Sequence, residues 1–76
     1  MQRCGINEVL KSFQENEEIK LVLVRRDSEA SDLSKIRSMA NELGIRVIEG
    51  SDNDLWRMSR DNSNGIPDVL ALVGRD

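Results

Sequence analysis

The side chains able to do chemistry in this sequence are cations and amides rather than catalytic pairs. Arg25 and Arg26 follow an apolar run, where ligand-binding loops of open α/β sheets gather. Arg57 and Arg60 flank a polar stretch that holds Asn62 and Asn64 and ends at Gly65. Asn7, Glu8 and Lys11 follow Gly5 at the start of a helix pattern, whose N-terminus attracts phosphate. A carboxylate such as Glu8 also accepts from the amino groups of base edges. These groups bind; nothing among them makes or breaks a bond. There is no histidine, and the single cysteine, Cys4, has no thiol partner. The acidic residues form no distinguished acid/base couple. Asp52 and Asp54 read as helix-capping residues, since a calcium loop needs more oxygens and a closing glutamate at fixed spacing.

Each of these residues has a plainer reading. Asn7 sits where a cap would start the first helix, ahead of any role as a base reader. Glu8 complements the positive end of that helix. Lys11 falls on a solvated face, and Arg57 and Arg60 are within local reach of Asp54 and Asp61. Trp56 reads as core or interface, not as a platform for a base. One tryptophan, one phenylalanine and no tyrosine argue against single-strand binding by aromatic stacking.

The elements that must position these groups alternate. Ile6, Val9, Leu10 and Phe13 give a first helix at 3.6-residue spacing. Ile19 to Val24 is an apolar, β-branched run, the pattern of a strand buried on both faces. Ser31 is placed to cap a second helix with the stripe Leu33, Ile36, Met39, Ala40 and Leu43, terminated by Gly44. Ile45 to Ile48 is a second strand. Ser51 or Asp52 caps a third helix with Leu55, Trp56 and Met58 as its apolar contacts. Pro67 blocks helix and favours an edge strand or a strand start. Val69 to Val73 is the last strand, and Met1 to Cys4 is a stub of another. The expectation is one small three-layer α/β/α sandwich with a mainly parallel or mixed sheet and right-handed crossovers. Its core should contain Val22, Leu23, Ile36, Ala40, Leu43, Val47, Leu55 and Leu70.

Seventy-six residues suit a single domain of residues 1–76. No stretch approaches the ~20 apolar residues that span a bilayer, and no signal-peptide pattern opens the chain, so a cytoplasmic location without membrane contact is expected. The net charge is −3, which argues against a general nucleic-acid binder whose affinity rests on released counterions.

The order and spacing of these segments resemble the substrate-binding domain of SpoU-type RNA 2′-O-ribose methyltransferases. The likeness runs over the whole chain. It is carried by Gly5-Ile6-Asn7-Glu8-Val9-Leu10, Leu21-Val22-Leu23, Gly44-Ile45-Arg46-Val47, Leu55, and Gly65-Ile66 through Val73. Ser63-Asn64 stands where that family often has His-Gln, and Pro67-Asp68 interrupts a strand that is usually continuous. The resemblance implies a non-catalytic module that holds structured rRNA or tRNA. A linked or separate methyltransferase domain would bind S-adenosylmethionine, and this segment would need no cofactor or metal. Gly5, Asn7, Glu8, Lys11, Arg25, Arg26, Arg57, Arg60, Asn62 and Asn64 would form its RNA-facing edge. A second resemblance, on the same fold, is to ribosomal kink-turn-binding proteins through Gly5, Asn7, Glu8 and Lys11. It implies contact with sheared purine pairs and their phosphates. A protein–protein adaptor without an RNA role is the third reading, which the acidic balance favours.

Overall fold

The structure, a computed structural model, describes residues 2–26, 28, 31–59 and 65–74. Four strands and three helices occur in the order β1 (Gln2–Cys4), α1 (Ile6–Gln14), β2 (Ile19–Arg25), α2 (Asp32–Glu42), β3 (Arg46–Gly50), α3 (Asp52–Met58) and β4 (Val69–Val73). The sheet order is β1-β4-β2-β3. The helices cover both faces, which makes the three-layer α/β/α sandwich expected from the alternation of patterns.

One face buries Val9 and Phe13 of α1 and Leu33, Ile36 and Ala40 of α2. They pack on Ile19, Val22 and Val24 of β2 and on Val69, Ala71 and Val73 of β4. The odd spacing from Ile19 to Val22 is reconciled by a register shift between Ile19 and Leu21. This bulge leaves Lys20 exposed and keeps Ile19 on the same face as Val22 and Val24. The other face is thinner: Leu55 of α3 covers Leu23 and Leu70, with Cys4 and Leu72 beside them.

The sheet is mixed, with β2 and β3 as its parallel pair and β4 antiparallel to both β1 and β2. The alternation of elements pointed to more parallel pairing, and the difference lies in β4, which begins at the carboxyl edge with Val69 opposite Val24. Helix α3 is roughly 10 Å long, about two interstrand spacings. The helix runs over the second face, from Gly50 at the end of β3 toward β1. There the Gln2 side-chain amide donates to the Met58 carbonyl (2.6 Å) and Cys4 Sγ lies 3.6 Å from Ser59 Oγ. Gln2 is level with Leu72, Leu21 and Arg46, so the end of α3 lies beside the amino end of β1. From α3 the chain comes back to the carboxyl edge before β4 starts, so β4 runs antiparallel to its neighbours. Pro67 accordingly lies just before a central strand, outside the ladder, and not in an edge strand.

Four local expectations change. Leu43 is the C-terminal flanking residue of α2 and is 62% exposed, because Gly44 (φ 69°) turns the chain before that position reaches the core. Trp56 and Met58 are also exposed, at 52% and 42%, since a helix this short turns only Leu55 into the sheet. Asn7 does not cap α1. The flanking position is Gly5, whose φ of 93° and ψ of 157° are essentially restricted to glycine, so the helix begins at once and Asn7 lies within its first turn. Ser31 flanks α2 but its own helical backbone angles leave its hydroxyl without a capping bond. By contrast, Ser51 and Asp54 form a reciprocal capping box: the Asp54 N–H donates to Ser51 Oγ (3.3 Å) and the Ser51 N–H to Asp54 Oδ2 (3.0 Å).

Candidate nucleic-acid interface

The register places Cys4, Leu70, Leu23 and Ile48 at one level across the sheet. Immediately beyond that level, three backbone bonds stitch the carboxyl edge together. The Gly5 N–H donates to the Val69 carbonyl (2.9 Å), the Arg25 N–H to the Asp68 carbonyl (2.8 Å) and the Arg26 N–H to the Gly50 carbonyl (2.8 Å). Gly5, Arg25, Arg26, Ser51 and Asp68 therefore share one edge, and α1 and α3 both begin there. Asn7 and Glu8 sit exposed in the first turn of α1. That turn has no side-chain cap, so its leading amides take no capping bond, and Glu8 stands at the positive end of the helix.

The two arginines differ. Arg26 is exposed. Arg25 is held: its Nη2 lies 3.3 Å from Asp68 Oδ1 and its Nε lies 3.4 Å from Asp52 Oδ1. The Ser28 hydroxyl donates to the same Asp68 oxygen (3.1 Å). The contact to Asp52 lacks hydrogen-bond geometry, and Arg25 Nε is buried without a hydrogen-bond partner. Arg26 and Arg57 both act on Asp54. The Ser51 backbone N–H, then the Ser51 hydroxyl, hold the Asp54 carboxyl below its ordinary range, and the positive charges of Arg57 and Arg26 add to this.

Lys11 and Arg57 lie away from the edge itself. Lys11 is farther along α1, where it lines a small pocket with Arg3, Glu8, Ser12, Glu15 and Glu17. Arg57 is in the last turn of α3, over the second face. It borders a mainly apolar cleft of about 270 Å³ whose walls include Leu21, Leu72, Ile48 and Met58. Apolar walls do not suit phosphate, whereas the uncapped start of α1 and Arg26 at the carboxyl edge do. Arg60, Asn62 and Asn64 lie outside the described residues. Among the described residues, no group of three or more histidine, cysteine, aspartate or glutamate side chains could hold a metal ion, and no helix is long and apolar enough to cross a membrane.

Sequence reasoning did not find the Asp52–Arg25–Asp68 contacts, the Arg3–Glu17 pair or the cleft. Ser28 and Asp68 are 40 positions apart, and no local pattern links them. The one available signal was that Asp68 follows Pro67 at the start of a strand, beside the arginines of a neighbouring strand end.

A family model described as RNA 2′-O ribose methyltransferase substrate binding matches residues 4–67. None of the curated proteins matches the chain.

Proposed function

The chain belongs to the family of RNA 2′-O ribose methyltransferase substrate-binding domains, and on that premise we propose that it holds structured rRNA or tRNA along the carboxyl edge of its sheet. The observation that carries the reading is the convergence of the uncapped start of α1 and exposed Arg26 on one edge. Phosphate oxygens take hydrogen bonds from helix-leading amides and from guanidinium groups, and such contacts set register rather than read sequence. Asn7 and Glu8 stand beside them, an amide and a carboxylate suited to base edges. Lys11 and Arg57 extend the positive contacts down the flanks.

In this reading the segment positions RNA and performs no chemistry. A methyltransferase domain, linked or separate, binds S-adenosylmethionine and transfers the methyl group to the ribose 2′-hydroxyl. The net charge of −3 gives weak affinity for the isolated domain, so tethering to the catalytic partner supplies much of the effective binding.

The test is titration of labelled rRNA and tRNA stem–loops at low salt, with a kink-turn and a plain duplex as competitors. Salt-sensitive binding of the stem–loops, with the kink-turn competing no better than other structured RNA, is expected. A kink-turn bound tightly, and lost by roughly 1–3 kcal/mol on Glu8→Ala through removal of a base-edge contact, would move the assignment to a kink-turn binder. Absence of binding to any RNA at low salt would favour the adaptor reading.

A further inference from the structure

We infer that Arg25 is a positioning residue, whose side chain clasps Asp52 and Asp68 and thereby sets the shape of the RNA-facing edge without itself meeting phosphate. The inference rests on the proposed RNA reading for its consequence, though its geometry stands apart from it.

Three segments distant in sequence meet at Arg25. Its guanidinium reaches Asp52, the first residue of α3, and Asp68, which precedes β4. Ser28 closes on Asp68 from the segment that follows β2. The backbone repeats the same connections: the Arg25 N–H binds the Asp68 carbonyl, and the next N–H, of Arg26, binds the carbonyl of Gly50. The Val69 carbonyl, one residue after Asp68, accepts the Gly5 N–H that sets the turn into α1. Fixing Asp68 therefore fixes Gly5 and the leading amides of α1, and fixing Asp52 holds the α3 start against Arg26.

The charge on Arg25 is already matched. Two carboxylates lie within 3.4 Å, and its side chain is only 27% exposed. A phosphate approaching it would meet both of those negative charges. A planar guanidinium can span two carboxylates from one fixed position, which an ammonium cannot do. The clasp thus needs arginine, whereas a simple phosphate contact would accept lysine.

The two roles predict opposite signs for Asp68→Asn. As bulk electrostatics, removing a negative charge from the edge strengthens RNA binding. As part of a clasp, Asp68→Asn loosens the edge and weakens binding. The experiment uses the full chain, a labelled stem–loop RNA and the variants Arg25→Lys, Arg25→Ala and Asp68→Asn. Affinity is read across a salt series, and amide hydrogen exchange is read without RNA. Thermal melts confirm that each variant is folded, and Asp68→Asn and Arg25→Lys keep the test open should Arg25→Ala not fold.

The expected result is a loss of at least roughly threefold for both Asp68→Asn and Arg25→Lys, the scale of coupling within one ion-pair network. The salt slope should stay at the wild-type value, and the Gly5, Arg25 and Arg26 amides should exchange faster. Tighter binding by Asp68→Asn, wild-type binding by Arg25→Lys, or a slope lowered by about 0.9 in Arg25→Ala would make Arg25 a direct phosphate contact and overturn the inference. A wild type that binds no RNA would instead overturn the RNA reading. The exchange measurement then decides the clasp alone: faster exchange at those three amides sustains it, and unchanged exchange removes it.

Discussion

Arg3 and Glu17 form a forked ion pair, with Nε 3.1 Å from Oε1 and Nη2 2.7 Å from Oε2, that ties β1 to the turn after α1. The Arg3 guanidinium holds the Glu17 carboxyl below its ordinary range, and the same bond raises Arg3 above its own. In the unfolded chain Glu17 returns to an ordinary carboxylate value of about 4.3. Between the folded and unfolded values the unfolded state binds more protons, so stability rises with pH through that window. The contribution is complete above the ordinary value and is lost as pH falls through the folded one. Glu17→Gln should therefore lessen the acid-side loss of stability below about pH 5 and leave the slope above it unchanged. Asp54, lowered by Ser51, contributes an acid dependence of the same sign, which the Glu17 substitution leaves in place. Denaturant melts over an acid pH series provide the check; an acid slope equal to wild type would mean the pair does not form in solution.

The core prediction contrasts buried and exposed leucines. Leu23 and Ile36 are 5% and 0% exposed, in the two different packed faces of the sheet. Truncation of either to alanine should cost about 2–5 kcal/mol by chemical denaturation. Leu43→Ala, at a 62% exposed position, should stay within about 0.5 kcal/mol. Equal losses at Leu23 and Leu43 would show that α3 does not seal the second face.

Gly5→Ala tests backbone rather than packing. A Cβ at Gly5 meets nothing within 4 Å, so a clash is not the source of any loss. The cost comes from φ 93°, ψ 157°, a region that L-residues avoid, and should be about 1–3 kcal/mol in urea melts. A neutral Gly5→Ala would mean that the turn into α1 has another conformation.

Arg26 and Arg46 make a matched pair for the RNA reading. Both are exposed, but Arg26 lies at the carboxyl edge, whereas Arg46 opens β3 at the opposite end, level with Leu21. Arg26→Ala should weaken binding of a stem–loop RNA and lower the log–log salt slope by about 0.9, the loss of one phosphate contact. Arg46→Ala should leave the slope unchanged. A salt series on both variants decides the matter, and equal effects would place RNA elsewhere or leave only diffuse attraction.

Much of this fold was legible in the chain because its signals are local. The spacing of Leu33, Ile36 and Ala40 marks a helix face, the run Leu21 to Val24 marks a buried strand, Gly44 marks a left-handed stop and Ser51 a cap. Each depends only on backbone angles and on which side of one element is apolar. The alternation of those elements, with the glycines in place, was also enough for the family resemblance that the match over residues 4–67 bears out. Tertiary structure decided what local patterns do not encode. The start of β4 at the carboxyl edge, with Val69 opposite Val24, sets its direction, and so the mixed pairing of the sheet. The thinness of the second layer leaves Trp56 and Met58 in solvent. The strand register, once formed, brings Asp52 and Asp68 to Arg25, a meeting of charges far apart along the chain. Such contacts exist only after the strands are aligned, because the attraction between these groups is short-ranged in water and cannot select its partners before the sheet has brought them together.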